Sequence, residues 1–247
     1  MQTIYILWQR QVKKYLRSPS RIVGTLGQPL FFLLALGYGF GSIFKQAGQG
    51  NYLQFLSPGV VAMSVLFTAV FGGIEVIWDK QFGFLKETMV APVSRINTMI
   101  GRTLGGATVA SIQGVIVVII SMFFGFRPET HYLLLALLFM FIGALLFTAL
   151  GTGIASVLDD MQGFPIVMQF IVTPMFFLSG SMFPIEGLPK ILGYIVHANP
   201  MTYYVDGIRG LLIGGNHFSL GLDFAIVTII ALAFLGIGSY LFSKIKA

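Results

Sequence analysis

Six stretches of the chain, residues 22–44, 46–74, 103–126, 130–158, 161–185 and 224–243, contain no Asp, Glu, Lys or Arg. Each meets the roughly 18–20 apolar residues that carry a helix through the hydrocarbon of a bilayer. The runs are continuous rather than alternating in segments of about ten, so they specify helices, which satisfy their own backbone groups in lipid, and not the strands of a barrel. The pattern predicts spans at about 24–44, 57–77, 104–124, 132–158, 163–183 and 224–243. Pro165 and Pro174 should kink the fifth or interrupt its hydrogen bonding.

The polar segments between the runs have their own periodicities. In 3–17, TIYILWQRQVKKYLR, the cations Arg10, Lys13, Lys14 and Arg17 recur at three and four residues, with Ile4, Trp8, Val12 and Tyr15 broadly opposite. This predicts, within 1–21, a basic amphipathic helix in the membrane interface, ended by Ser18-Pro19-Ser20. The longest charged interruption, 79–102, carries Asp79, Lys80, Lys86, Glu87, Arg95 and Arg102 and must meet water. In 184–218 the apolar pieces 191–196 and 208–213 are too short to span and are separated by Asn199-Pro200, so they are expected to be re-entrant or to lie in the outer interface. The expected fold is all-α and integral to the membrane: one transmembrane domain over 1–247, with six spans, an interfacial N-terminal helix and short outer helices between the last two spans.

Composition closes off the soluble alternative. With 56% hydrophobic residues, 10% charged and mean hydropathy +0.86, too little polar surface exists to cover six such helices in water. The net charge of +6 reports orientation and contact with anionic lipid rather than nucleic acid. Arg10, Lys13, Lys14, Arg17, Arg21, Lys80, Lys86, Arg95, Arg102, Lys244 and Lys246 fall on the side of the N-terminus, against Lys45, Arg127, Lys190 and Arg209 on the other. Both termini and 79–102 are therefore expected in the cytoplasm.

Candidate chemistry is sparse. Glu75, at the end of the second apolar run, is either a functional intramembrane acid or a side chain that has reached the headgroups. Asp159 and Asp160 have the character of solvated loop charges, and His131, His197 and His217 share no metal-ligand spacing. There is no cysteine, no GxxxxGK[ST] phosphate loop, no HExxH and no GxSxG. The energy for any driven process must then come from a partner or an ion gradient.

Three segments, FGFLKETMVAPVSR after the second span, LSGSMFPIEGLP at 178–189 and ANPMTYYVDGIR at 198–209, resemble the membrane subunit of type-2 ABC exporters, closest to permeases of the daunorubicin-exporter type. Each motif is loose, but their order relative to the spans is specific and the resemblance covers essentially the whole chain. It implies a permease without its own nucleotide site, paired with a second permease copy as homodimer or heterodimer. Two cytoplasmic ATPase subunits would bind the ATP and Mg, and the setting would be a prokaryotic inner membrane. It further implies a cytoplasmic coupling helix between spans two and three, with Phe84, Leu85, Lys86, Glu87, Pro92 and Arg95 in the pattern. The outer hairpin matches on Ser179, Gly180, Pro184, Pro189, Asn199, Pro200, Asp206 and Arg209, the last two spaced to pair on one face. The substrate would be a hydrophobic drug- or lipid-like molecule, with a lipid-linked glycan second. Outside the family, a gradient-driven secondary transporter would need inverted repeats and paired midplane charges, for which only Glu75 qualifies. A membrane scaffold is the third class.

Overall fold

The computed structural model describes residues 2–46, 51–82, 94–158, 160–185 and 188–244. In these the chain is helical with no strand: α1 Gln2–Leu16, α2 Pro19–Gly39, α3 Gly41–Gln46, α4 Tyr52–Phe71, α5 Ile74–Gln81, α6 Arg95–Phe123 and α7 Leu133–Val157. They are followed by α8 Gly163–Phe177, α9 Lys190–Ala198, α10 Pro200–Ile213 and α11 Leu220–Ser243.

Five of these are long and apolar enough to cross a membrane: α2, α4 with α5 as Tyr52–Gln81, α6, α7 and α11. The fifth expected span, 163–183, is helical only over Gly163–Phe177, roughly 22 Å against a hydrocarbon thickness of about 30 Å. Six apolar runs thus become five helices of spanning length and one short one. Pro174, which has no N–H for the carbonyl four residues back, interrupts the ladder inside this helix, and the chain leaves it after Phe177 in a turn with Gly180 at φ +73°. Just before Pro174 the helix widens into a π-turn over Met168–Val172, and the Thr173 hydroxyl donates to the Met168 carbonyl at 2.9 Å.

Helix ends also differ from the apolar boundaries. Pro19 stands in the first turn of α2, where its missing N–H is harmless, so this helix begins before 24 and ends at Gly39 rather than 44. Asn51 caps α4 by accepting from the Leu53 amide at 3.0 Å, which moves the start from 57 to Tyr52. The 79–102 segment is largely helical where described, since 79–81 closes α5 and Arg95–Arg102 opens α6.

Helix α4 is the axis of the bundle, buried almost continuously from Leu56 to Leu66, with α2, α6, α7 and α10 around it. Helix α11 lies along α7, and α1 lies along the first half of α6. Lipid gives helices no hydrophobic reason to associate, so close backbone contact carries the packing. At the α4–α5 turn a Cβ on Gly151 would stand 2.5 Å from the Val70 carbonyl oxygen, and one on Gly73 2.3 Å from the Gly151 oxygen. Only glycine permits that crossing. The 184–218 hairpin appears as α9 and α10: α9 exposes Ile191 and Tyr194, while α10 is deeply packed against α4, α7 and α11.

Candidate functional site

Polar side chains gather at the end of the bundle where α1 joins α2. Glu75, in the first turn of α5, is buried, with a carboxylate oxygen 2.9 Å from an Arg21 guanidinium nitrogen and 3.1 Å from Lys14 Nζ. Asp79, one turn further along α5, pairs with the buried Arg102 of α6. Tyr15 donates to the side-chain oxygen of Gln113, and Trp8 donates to the Thr108 hydroxyl at 2.9 Å, so α1 is bolted to α6 by two side-chain bonds. Burial pushes the Tyr15 hydroxyl pKa above its ordinary value against the lowering field of Arg21, which keeps the group a donor.

Two cavities open from this cluster. A cleft of about 20 Å³, room for roughly one water, touches Gln11, Tyr15, Arg21, Glu75, Arg102 and Thr148. Beside it, sharing Tyr15, Arg21 and Thr68, is a cavity of about 220 Å³ between α2 and α4. Its polar lining is Arg21, Thr25, Gln28, Ser64 and Thr68, and its apolar lining includes Met63, Phe67 and Phe71. Thr25 and Ser64 donate to backbone carbonyls of their own helices, so their remaining hydrogen-bonding capacity towards the cavity is as acceptors. With Arg21 as the charged residue of its lining beside hydroxyl and amide groups, the cavity suits an amphipathic molecule with a neutral or anionic polar end.

At the opposite end the predicted hairpin residues share a second site. The Asp206 carboxylate accepts from the His217 amide at 2.8 and 3.0 Å and the Phe218 amide at 2.7 Å, fixing the turn into α11. Arg209 donates to the Gly180 carbonyl at 2.9 Å and lies 4.1 Å above the Phe55 ring, while Gly180 takes φ +73°. Asn199 caps α10 on the Met201 amide and donates to the Met175 carbonyl at 2.6 Å, with Pro200 as the first residue of the helix. Pro189 precedes α9, and Pro184, Ser179, Asp206 and Arg209 line a cavity of about 300 Å³. The hairpin motifs therefore form a network of turns and caps.

Of the proposed coupling residues, Phe84, Leu85, Lys86, Glu87 and Pro92 lie outside the described residues. Arg95 opens α6 and donates to the Ser243 carbonyl at 2.5 Å. The sequence pattern singled out Glu75 but neither of its partners as such. It passed over Asp223, which is fully buried in the first turn of α11 with both carboxylate oxygens lacking a hydrogen-bond partner. An acid immediately before an apolar run reads as a helix boundary, and nothing local distinguishes it from a solvated one.

A sequence profile of the ABC-2 type transporter family matches residues 2–213. The inner membrane transport permease YadH of Escherichia coli K12 is 26% identical over 234 residues, covering 92% of this chain and 90% of that protein. Nodulation protein J of Rhizobium leguminosarum bv. viciae is 27% identical over 213 residues, or 84% of this chain and 81% of its own. The putative transport permease ycf38 of Cyanophora paradoxa is 26% identical over 219 residues, 85% of this chain and 74% of its own.

Proposed function

This chain belongs to the ABC-2 type transporter family, and from that premise we propose that it is the transmembrane subunit of an ATP-driven exporter for an amphipathic, drug- or lipid-like substrate. ATP and Mg are bound by two copies of a partner ATPase, and two permease copies enclose the pathway in a prokaryotic inner membrane with both termini cytoplasmic. The observation that carries the substrate class is the cavity between α2 and α4. It combines Phe67, Phe71 and Met63 with hydroxyl, amide and guanidinium groups at the level of the Lys14–Glu75–Arg21 cluster. A purely apolar molecule would leave that polar wall unsatisfied, and a cation would meet Arg21. Exposed aromatic side chains on α2 (Phe31, Tyr38) and α8 (Phe170) support a second copy beside this cavity, since α2 and α8 already meet through Phe32 and Phe176.

A second reading, a lipid-linked glycan, is favoured by the acceptor-rich lining from Thr25, Gln28 and Ser64, which complements sugar hydroxyls. The test is reconstitution of the permease with the ABC ATPase encoded beside its gene. Neutral or anionic amphiphiles should stimulate hydrolysis severalfold and cationic drugs should not. A glycan substrate would show as stimulation by the lipid-linked oligosaccharide but not by the lipid alone. Absence of any co-purifying ATPase, or transport driven by a proton gradient without ATP, sinks the exporter in favour of a secondary transporter.

A further inference from the structure

The cleft beside Glu75, at about 20 Å³, has room for one atom the size of a water oxygen. Its lining groups differ in what they can offer such an atom. Arg102 is buried and donates to Asp79 from one terminal nitrogen, while its Nε–H has no partner among the described residues. That N–H can only donate, and a buried donor left unmet is costly. Arg21, on the same lining, is likewise a donor only.

Three other lining groups can only accept. The Thr148 hydroxyl donates to the Ala144 carbonyl at 2.7 Å and the Thr152 hydroxyl to the Thr148 carbonyl at 2.8 Å, so each keeps lone pairs but no proton for the cleft. The Glu75 carboxylate takes both Lys14 and Arg21 on Oε1, which leaves Oε2 as an acceptor. Gln11 and Thr68 can turn either valence inward. An occupant that satisfies the fixed groups must accept from a guanidinium and donate to a hydroxyl or carboxylate through the same atom. An ionised carboxylate or phosphate oxygen cannot donate and would face Glu75, and an ammonium cannot accept and would face Arg21 and Arg102. An ether or carbonyl oxygen meets half of the demand. A hydroxyl oxygen meets all of it.

The cleft adjoins the larger cavity between α2 and α4, because Tyr15, Arg21 and Thr68 belong to both walls. We propose that the cleft is a hydroxyl-selective subsite of that cavity. The substrate is a neutral amphiphile that lays its apolar part against Met63, Phe67 and Phe71 and places one hydroxyl in the cleft. That hydroxyl accepts from Arg102 Nε and donates to the acceptors at Glu75, Thr148 and Thr152. Arg102 then serves Asp79 with one nitrogen and the substrate with another. The polar end is thereby narrowed from neutral or anionic to neutral and hydroxylated, an inference that rests on reading the α2–α4 cavity as the substrate cavity.

The experiment uses the full-length permease in phosphatidylcholine nanodiscs, without ATP or ATPase. The probes share one medium-length chain bearing a photoactivatable group and differ in the head: glycerol, its dimethyl ether, a carboxylate or a quaternary ammonium. The glycerol probe should label peptides spanning 63–71 about three- to tenfold more strongly than the ether, the effect of one hydrogen bond donated at a buried site, and more strongly than either charged probe. Gly72→Ala puts a methyl on the cleft wall, where its Cβ meets only carbonyls of its own helix, that of Ala69 at 3.1 Å and that of Thr68 at 3.6 Å. This variant and Thr148→Val, which exchanges an accepting hydroxyl for a methyl, should each bring the glycerol-to-ether ratio close to one while the ether probe labels as before. Thr148→Val alone decides where Gly72→Ala does not elute as the parent does. Free glycerol, which has the hydroxyls without the chain, should not displace the glycerol probe. Equal labelling by the glycerol probe and its ether would mean that the cleft keeps a water and takes no part of the substrate. That result, a ratio retained in Thr148→Val, displacement by free glycerol or a preference for a charged probe would each overturn the subsite. Labelling of 63–71 by none of the probes would instead remove the α2–α4 cavity as the amphiphile's place, and the subsite with it, whereas the exporter reading stands or falls on the separate stimulation of ATP hydrolysis.

Discussion

Glu75 is the residue on which the α1 end depends, because its carboxylate neutralises one cation from α1 and another from the start of α2. Replacing it leaves two cations facing each other beside a buried wall. Lys14 and Arg21 keep partial access to water, which reduces the penalty below that of a fully buried broken pair. Glu75→Gln should therefore lower stability by about 1–3 kcal/mol, seen as a fall of several degrees in Tm of the detergent-solubilised protein. Arg21→Ala added to it should cost less than the sum of the two singles, since both remove one interaction. Additive losses would mean the pair is not coupled. Asp223 predicts the opposite sign: its carboxylate is buried without a partner, so Asp223→Asn, which removes the charge at the same volume, should raise stability by about 1 kcal/mol. A destabilised Asp223→Asn would show that the carboxylate has a partner such as bound water. The acid at Glu75 was legible because charge inside an apolar run is conspicuous. Its partners were not, because 54 residues separate it from Arg21 and no local pattern spans that distance.

At the scale of elements, the apolar runs announced every long helix among the described residues, and the periodicity of 3–17 falls within the helix α1. Trp8 and Tyr15 do turn inward, though onto α6 rather than only into lipid. What the pattern could not give was where helices stop, since caps such as Asn51 and helical polar turns such as Arg95–Arg102 lie outside the apolar stretch. Nor could it show that the helix in 161–185 passes through both prolines with a π-turn between them and stops at Phe177. Residues such as Gly151 read only as small, yet the contact with Val70 is backbone against side-chain position. Gly151→Val should force α4 and α7 apart and abolish a monodisperse elution profile on size exclusion, where Gly153→Ala, with only Gly238 at 3.5 Å, should elute as the parent does. If both elute normally, the α4–α7 crossing is looser than the structure has it.

The whole molecule places its two polar sites at opposite ends of one axis, α4, with the Asp206–Arg209 network at the Tyr52 end and the Glu75 cluster at the other. A helix buried along almost its entire length transmits displacement as a rigid body, since packed interiors shift between discrete arrangements rather than deform. The 83–93 stretch is flanked by α5, which follows α4 after Gly72-Gly73, and by α6, which opens at Arg95, so under the proposed exporter function a force applied there would reach both. The two routes are tied together by the Asp79–Arg102 pair. This arrangement suits a segment that receives motion from an ATPase and divides it between the α4 axis and the α1–α6 unit. On that argument Lys86→Ala and Glu87→Ala, at the proposed coupling charges, should leave the permease folded and basal ATP hydrolysis intact. They should lower substrate-stimulated hydrolysis by roughly tenfold, the 1.4 kcal/mol of a charge pair fixed at an interface. Asp79→Ala should also uncouple, but with a loss of stability, because it strands the buried Arg102. The comparison separates contact from transmission: stimulated turnover unchanged in both Lys86→Ala and Glu87→Ala, with the complex still assembled, removes 83–93 as the coupling surface and leaves the Asp79–Arg102 pair with a purely structural role.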